Sequence, residues 1–182
     1  MSAAPHSLPE PSAWIRRWTH LVPAGGAVLD VACGHGRHMR WFARHGHPVT
    51  GIDRDPDALA SSADAGRTVA ADIENGRWPL EGETFAGVVV TNYLWRALLP
   101  RIVAGVADGG VLLYETFAQG NESVGKPSRP DFLLRHGELL QACAGLRVVA
   151  YEDGFLHDPE RFVQRIAAVR EPSGEGMARY AL

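Results

Sequence analysis

The stretch Val28-Leu29-Asp30-Val31-Ala32-Cys33-Gly34-His35-Gly36-Arg37-His38-Met39-Arg40-Trp41-Phe42 decides the fold. A short apolar strand runs into two glycines at alternate positions, and the residues after them have the character of a helix. Gly34 and Gly36 permit a sharp turn and let the backbone approach a ligand, with the N–H groups of the helix start facing it. A Gly-x-Gly turn alone is weak evidence, so its neighbours must carry the argument.

Outward from that turn the chain settles into alternating blocks. Strands are expected at 27–32, 48–53, 68–71, 85–91 and 110–116, and helices at 37–46, 56–65, 94–106 and 135–144. The strands read as nearly unbroken apolar runs, as in Phe85-Ala86-Gly87-Val88-Val89-Val90-Thr91, which is the pattern of strands covered on both faces by crossover helices. Right-handed crossovers then give an open, doubly wound α/β sheet whose crevice lies beyond the carboxyl ends of the strands. Two further strands, 146–155 and 161–170, are joined by a link too short for a parallel crossover, so they form an antiparallel hairpin. The expected whole is a Rossmann-like, seven-stranded, mostly parallel sheet closed by a C-terminal antiparallel hairpin. Before it, Trp14, Ile15, Trp18 and Leu21 fall at helical spacing from about Ser12, which suits a helix packed at a sheet edge or a lid over a substrate. Residues 1–11, with three prolines, are expected to be a flexible arm, and 12–182 a single domain.

The composition sets bounds on function. At 182 residues the chain has room for one domain. With 46% hydrophobic and 21% charged residues it is ordinary for a globular protein. The 18 basic residues, all arginine except Lys126, against 21 acidic ones give a net charge of -3, which argues against nucleic acid or an anionic membrane as the partner. The two cysteines, Cys33 and Cys143, make no disulfide framework, and no segment is apolar enough to span a bilayer, so a cytoplasmic setting is expected.

Three features around the turn bear on the ligand. A dinucleotide fingerprint requires glycine where this chain has Met39, and no lysine stands beside the loop, so the ligand is not expected to be a polyphosphate. Asp53 ends the second strand nineteen residues beyond Gly34, where a carboxylate reaches ribose hydroxyls. Asp55 followed by Pro56 supplies the cap of the next helix, which leaves Asp53 free for that role. Asp72 and Ile73 end the third strand, where a carboxylate can accept from an exocyclic amine and an apolar side chain can cover a purine; Asp72 is equally suited to a turn.

Together these residues resemble the class I S-adenosylmethionine-dependent methyltransferases over residues 27–170. That family's first loop reads acidic-x-Gly-x-Gly-x-Gly; here Asp30 is the acid and Ala32 replaces the first glycine, while Gly34 and Gly36 remain. The resemblance implies the methionine part of the cofactor, S-adenosyl-L-methionine, against Asp30, Ala32, Cys33, Gly34 and Gly36, its ribose on Asp53, and its adenine near Arg54, Asp72 and Ile73. It also implies that the last strand inserts antiparallel between two others. Residues 114–140, beginning Tyr114-Glu115-Thr116-Phe117, look like small bacterial tellurite-resistance (TehB-like) methyltransferases.

The acceptor is less legible. Asn92 and Tyr93 follow the fourth strand, the family's usual position between cofactor and acceptor, and Asn92-Tyr93-Leu94 lacks the Asn/Asp-Pro-Pro-aromatic motif of nucleobase amino methyltransferases. Tyr93, Glu115 and His35 are the candidate catalytic groups, with a soft nucleophile needing little base assistance. Each has a plainer alternative: Tyr93 packs under a helix, Glu115 binds loop backbone, His35 lines the turn. In the aperiodic loop 117–131, Lys126 and Arg129 would suit an anionic acceptor. No metal is assigned. The expected function is methyl transfer to a small-molecule acceptor, such as a thiol or a chalcogen oxyanion like tellurite, by a monomer or homodimer. The competing expectation is a catalytically silent module that binds the cofactor or a protein partner.

Overall fold

Strands buried on both faces, as the apolar runs require, form the centre of the molecule. In the computed structural model, which describes residues 10–174 and 178–182, seven strands make one sheet. They are β1 (Val28–Val31), β2 (Val49–Asp53), β3 (Arg67–Ala70), β4 (Phe85–Thr91), β5 (Val106–Phe117), β6 (Arg147–His157) and β7 (Glu160–Val169), in the spatial order β3-β2-β1-β4-β5-β7-β6. The first five pair parallel, and β7 runs antiparallel between β5 and β6, as the family resemblance implies. The expected arm falls mostly on residues 1–9, outside the described residues.

The helices α1 (Ala13–Trp18), α2 (Arg37–Arg44), α3 (Pro56–Ser62), α4 (Leu99–Ala104) and α5 (Glu138–Ala142) cover the two faces. One core layer gathers Leu29, Val31, Val88, Val90, Leu112 and Tyr114 with Ile102 of α4 and Leu139 of α5. The other gathers Val28, Val89, Leu113 and Ala167 with Trp14, Ile15 and Trp18 of α1 and Met39 and Phe42 of α2. Alternate strand residues thus feed opposite layers.

The N-terminal helix is not at a sheet edge. It lies on the face, over β5 and β7, and Trp14 donates its indole N–H to the Ile166 carbonyl at 3.2 Å. Ser12 caps it by accepting from the amides of Trp14 and Ile15. Burial of its three large side chains contributes about 2–3 kcal/mol each.

The segment expected as one helix over 94–106 is divided. Pro100 removes a backbone donor, and its ring would clash with the carbonyl of Arg96, so Arg96–Leu98 forms a 3-10 turn before α4. Helix α5 begins at Glu138 and not at 135, because Gly137 turns the chain with φ +71°. The loop after β5 is held at Asn121: its buried amide donates to the Pro127 carbonyl and accepts from the Phe162 N–H. Lys126 and Arg129, the cations expected to face an acceptor, are exposed, and Arg129 pairs with Asp131.

Candidate active site

The turn after β1 brings most of the expected residues together. Ala32, Gly34 and Gly36 all adopt left-handed backbone, with φ of +56°, +50° and +73°. Gly36 has a second reason to be glycine, since a Cβ there would stand 2.4 Å from Cβ of Ser62. Ala32 occupies the first glycine position of the family motif and keeps the glycine conformation, at a cost of about 1 kcal/mol.

Asp53 ties that turn to β2. Its Oδ2 accepts the Gly34 N–H at 2.8 Å and its Oδ1 the Asp55 N–H at 3.0 Å. The Asp55 carboxylate accepts from the amides of Asp57 and Ala58, so the helix cap and the crevice acid are separate residues, as the sequence implied. Asp72 takes the turn role and also lines the first cavity. Its oxygens accept from the amides of Glu74 and Asn75 and from the Asn75 side chain, hydrogen bonds that hold its pKa below the usual carboxylate range.

Two adjoining cavities open at the carboxyl ends of the strands, with Ala32 on the wall of both. The first, of about 200 Å³, is lined by Asp53, Arg54, Asp72, Ile73, Glu74 and Tyr93. The second, of about 290 Å³, is lined by Cys33, Gly34, His35, Arg37, His38, Thr91 and Asn92. Thus Ala32, Cys33, Gly34, Asp53, Arg54, Asp72, Ile73 and Asn92 share one crevice with two of the three candidate catalytic groups, Tyr93 and His35.

Tyr93 stands at the acidic end of that crevice. Its backbone carbonyl is fixed by the Tyr114 hydroxyl at 2.8 Å, and its own hydroxyl is buried without a hydrogen-bond partner among the described residues. Burial first, then the carboxylates of Glu74 and Asp72, push its pKa up. His35 is exposed and pairs Nδ1 with the Ser61 hydroxyl at 3.0 Å.

Glu115 lies apart from both cavity walls. It is 1% exposed; its Oε1 accepts from Ser12 Oγ at 3.1 Å and its Oε2 from Arg165 at 3.1 Å, with Arg161 3.7 Å away. A carboxylate filled in this way is a structural tie rather than a free base.

Asp30 is the opposite case. It is 1% exposed, and its Oδ2 has no hydrogen-bond partner among the described residues. Burial pushes its pKa up to about 7 against the pull of Arg37. Cys33, beside it, is buried, and burial pushes its thiol pKa up, which disfavours the thiolate.

Sequence reasoning missed Arg37, His38, Thr91 and Glu74 on these walls. The signal for the first two lay in the quoted stretch itself, immediately after Gly36. Among the described residues no group of three or more His, Cys, Asp or Glu could hold a metal ion, and no helix is long and apolar enough to cross a membrane.

A parallel sheet in this order, an antiparallel strand inserted next to its edge, and a crevice with a left-handed glycine turn and an acid at the end of β2 make up the class I methyltransferase fold. Residues 28–110 match the family described as "Methyltransferase domain". The chain is 32% identical over 80 residues to a ribosomal RNA small subunit methyltransferase C from Alcanivorax borkumensis, a match covering 40% of this chain and only 23% of that relative. Its fold is similar to that of a TehB-like SAM-dependent methyltransferase from Corynebacterium glutamicum, with a TM-score of 0.63 at 19% identity over 87% of each chain. It is also similar to TehB from Haemophilus influenzae, with a TM-score of 0.67 at 21% identity over 87% of this chain and 61% of that one.

Proposed function

We propose that this protein is an S-adenosylmethionine-dependent methyltransferase acting on a small molecule, a soft nucleophile such as a thiol or a chalcogen oxyanion, tellurite included. The observation that carries the proposal is Asp53, which braces the glycine turn through Gly34 while facing the first cavity. The unpartnered Oδ2 of Asp30, near Arg37, supports the cofactor's fit, because a buried acid with an open valence suits a neighbouring amine.

The chain's residues divide the work. Asp53 would hold the ribose diol, while Arg54, Asp72, Ile73 and Tyr93 would enclose the adenine. Ala32, Cys33, Gly34 and Gly36 would border the methionyl part, with Asp30 beneath. Asn92, in left-handed backbone with φ +54°, would stand between cofactor and acceptor. When bound, the cofactor supplies a methyl carbon on a sulfonium, and the sulfur keeps the bonding pair as the acceptor's lone pair takes that carbon. The protein's part is alignment and exclusion of water, so a soft acceptor needs no base. That suits a site in which Glu115 is saturated and His35 is exposed.

The net charge of -3 and the absence of the Asn/Asp-Pro-Pro-aromatic motif favour a small molecule over the RNA named for the Alcanivorax relative. The deciding experiment is transfer of labelled methyl from S-adenosylmethionine to a panel of thiols, selenite, tellurite, amines, alcohols and ribosomal RNA. Transfer to a thiol or oxyanion, lost in Asp53→Ala, is expected. Labelling of RNA alone would replace the acceptor assignment, and cofactor binding with no transfer to any acceptor would mark a silent binding module.

A further inference from the structure

The second cavity holds a histidine that the expected chemistry does not use. His38 is 1% exposed, yet it borders the cavity together with Arg37 and Thr91. Its ring lies between two partners of different character. The Ser12 backbone N–H points at Nε2 at 3.1 Å, and Thr91 Oγ1 lies 3.5 Å from Nδ1.

A backbone N–H can only donate, so Nε2 must be the bare nitrogen and the single proton of a neutral ring must sit on Nδ1. Burial, reinforced by the neighbouring Arg37, lowers the ring's pKa to about 3, so it is neutral in the ordinary range. The nearby charges are Arg37 on α2 itself and Glu115, which faces Ser12 and is answered by Arg165. Thr91, at the limit of hydrogen-bond length, leaves the Nδ1–H only loosely engaged.

The two cavities also differ in charge. The first is walled by Asp53, Asp72 and Glu74 with Arg54; in the second, Arg37 is the sole side chain of fixed charge. A ligand that is a nucleoside at one end and an amino acid at the other matches this polarity with its carboxylate toward Arg37.

We propose that His38 is a fixed N–H donor of the crevice, its tautomer set by the backbone of Ser12, and that with Arg37 it receives the carboxylate at the amino-acid end of the cofactor. This rests on the cofactor assignment above. It makes His38 a binding residue and not a base, and it makes segment 10–12 part of the site although that segment lines neither cavity.

The first test uses nitrogen-15 spectra of the imidazole rings in the intact protein, which read the tautomer without any ligand. His38 should carry its proton on Nδ1 and stay neutral from about pH 8 to 5. Ser12→Pro removes the N–H at a residue whose φ of -51° proline accepts, whereas Ser12→Ala loses the same hydroxyl and keeps the N–H. Mixed tautomers are expected in Ser12→Pro but not in Ser12→Ala. A proton on Nε2, or titration between pH 5 and 7, would overturn the assignment.

The second test is calorimetry with S-adenosylhomocysteine and with 5′-methylthioadenosine, which keeps the nucleoside and lacks the amino acid. In Arg37→Met the preference for S-adenosylhomocysteine should fall at least fivefold, with methylthioadenosine binding within twofold of the unchanged protein. Arg37 is only partly buried, and retained methylthioadenosine binding shows that the variant is folded. Binding of both ligands with an unchanged preference overturns this inference alone, while failure of both to bind overturns the cofactor assignment and this inference with it.

Discussion

Two buried acids on the same face of the sheet, one at the end of β1 and one at the end of β5, have opposite surroundings. Glu115 lies opposite Thr91 on β4 and Arg165 on β7, and both of its oxygens are engaged, one by the Ser12 hydroxyl and one by the Arg165 guanidinium. Asp30, two strands away, keeps an oxygen without a partner and a pKa near neutrality. The difference separates structure from function. Where the protein closes its own polar valences it builds a frame, and where it leaves a buried one open a ligand can complete it.

The largest effect should come from breaking the closed region. Glu115→Ala leaves the guanidinium groups of Arg161 and Arg165 facing an empty buried site, and it is expected to cost about 3 kcal/mol of stability by urea denaturation. Glu115→Gln, which keeps the shape and an acceptor, should bind S-adenosylhomocysteine within twofold of the unchanged protein. A tenfold loss of affinity there would return Glu115 to the site and erase the contrast.

The open region should respond through pH. The Asp30 carboxyl holds its proton up to about 7 when folded, whereas in the unfolded chain an aspartic acid ionises near pH ~4. Between those values the folded state binds more protons, so this residue's contribution falls as pH rises from about 4 through 7. Asp30→Asn cannot ionise, and should be more stable than the unchanged protein at pH 8, with the gain shrinking as pH falls and vanishing near pH 4. Its cofactor affinity should fall at both pH values. A stability difference that does not vary with pH would show Asp30 to be as well compensated as Glu115.

A loss of at least tenfold in S-adenosylhomocysteine affinity is expected for Asp53→Ala, measured by calorimetry, because both the ribose acceptor and the brace on Gly34 disappear. The smallest effect belongs to Ala32→Gly. Relief of the left-handed alanine outweighs the greater freedom of glycine in the unfolded chain by about 0.5 kcal/mol, seen as a small rise in Tm. A fall in Tm would mean that the Ala32 methyl packs favourably enough to offset its backbone strain.

Much of the open region is legible in sequence because its causes are local. The glycine turn, Asp53 at a strand end and Asp55-Pro56 at a helix start each lie within a few residues of the backbone they control. The strands are legible for the same reason, since burial on both faces leaves an unbroken apolar run. The apolar run over 94–106 reads as one helix, whereas Pro100 divides it.

The closed region and the histidine wall were not legible. Glu115 had the sequence setting of a catalytic acid, and nothing nearby announces Arg161 or Arg165, which reach it only because β7 inserts beside β5. His38 meets Ser12 across 26 residues and Thr91 across 53. The sequence by itself determined the alternation of strands and helices, the turn and the acid at the second strand's end, because periodicity and backbone sterics act over short range. Only the tertiary structure decided which buried acid is saturated and which nitrogen of His38 carries the proton, because hydrogen-bond valences are settled by whichever distant donors the packing brings within about 3 Å.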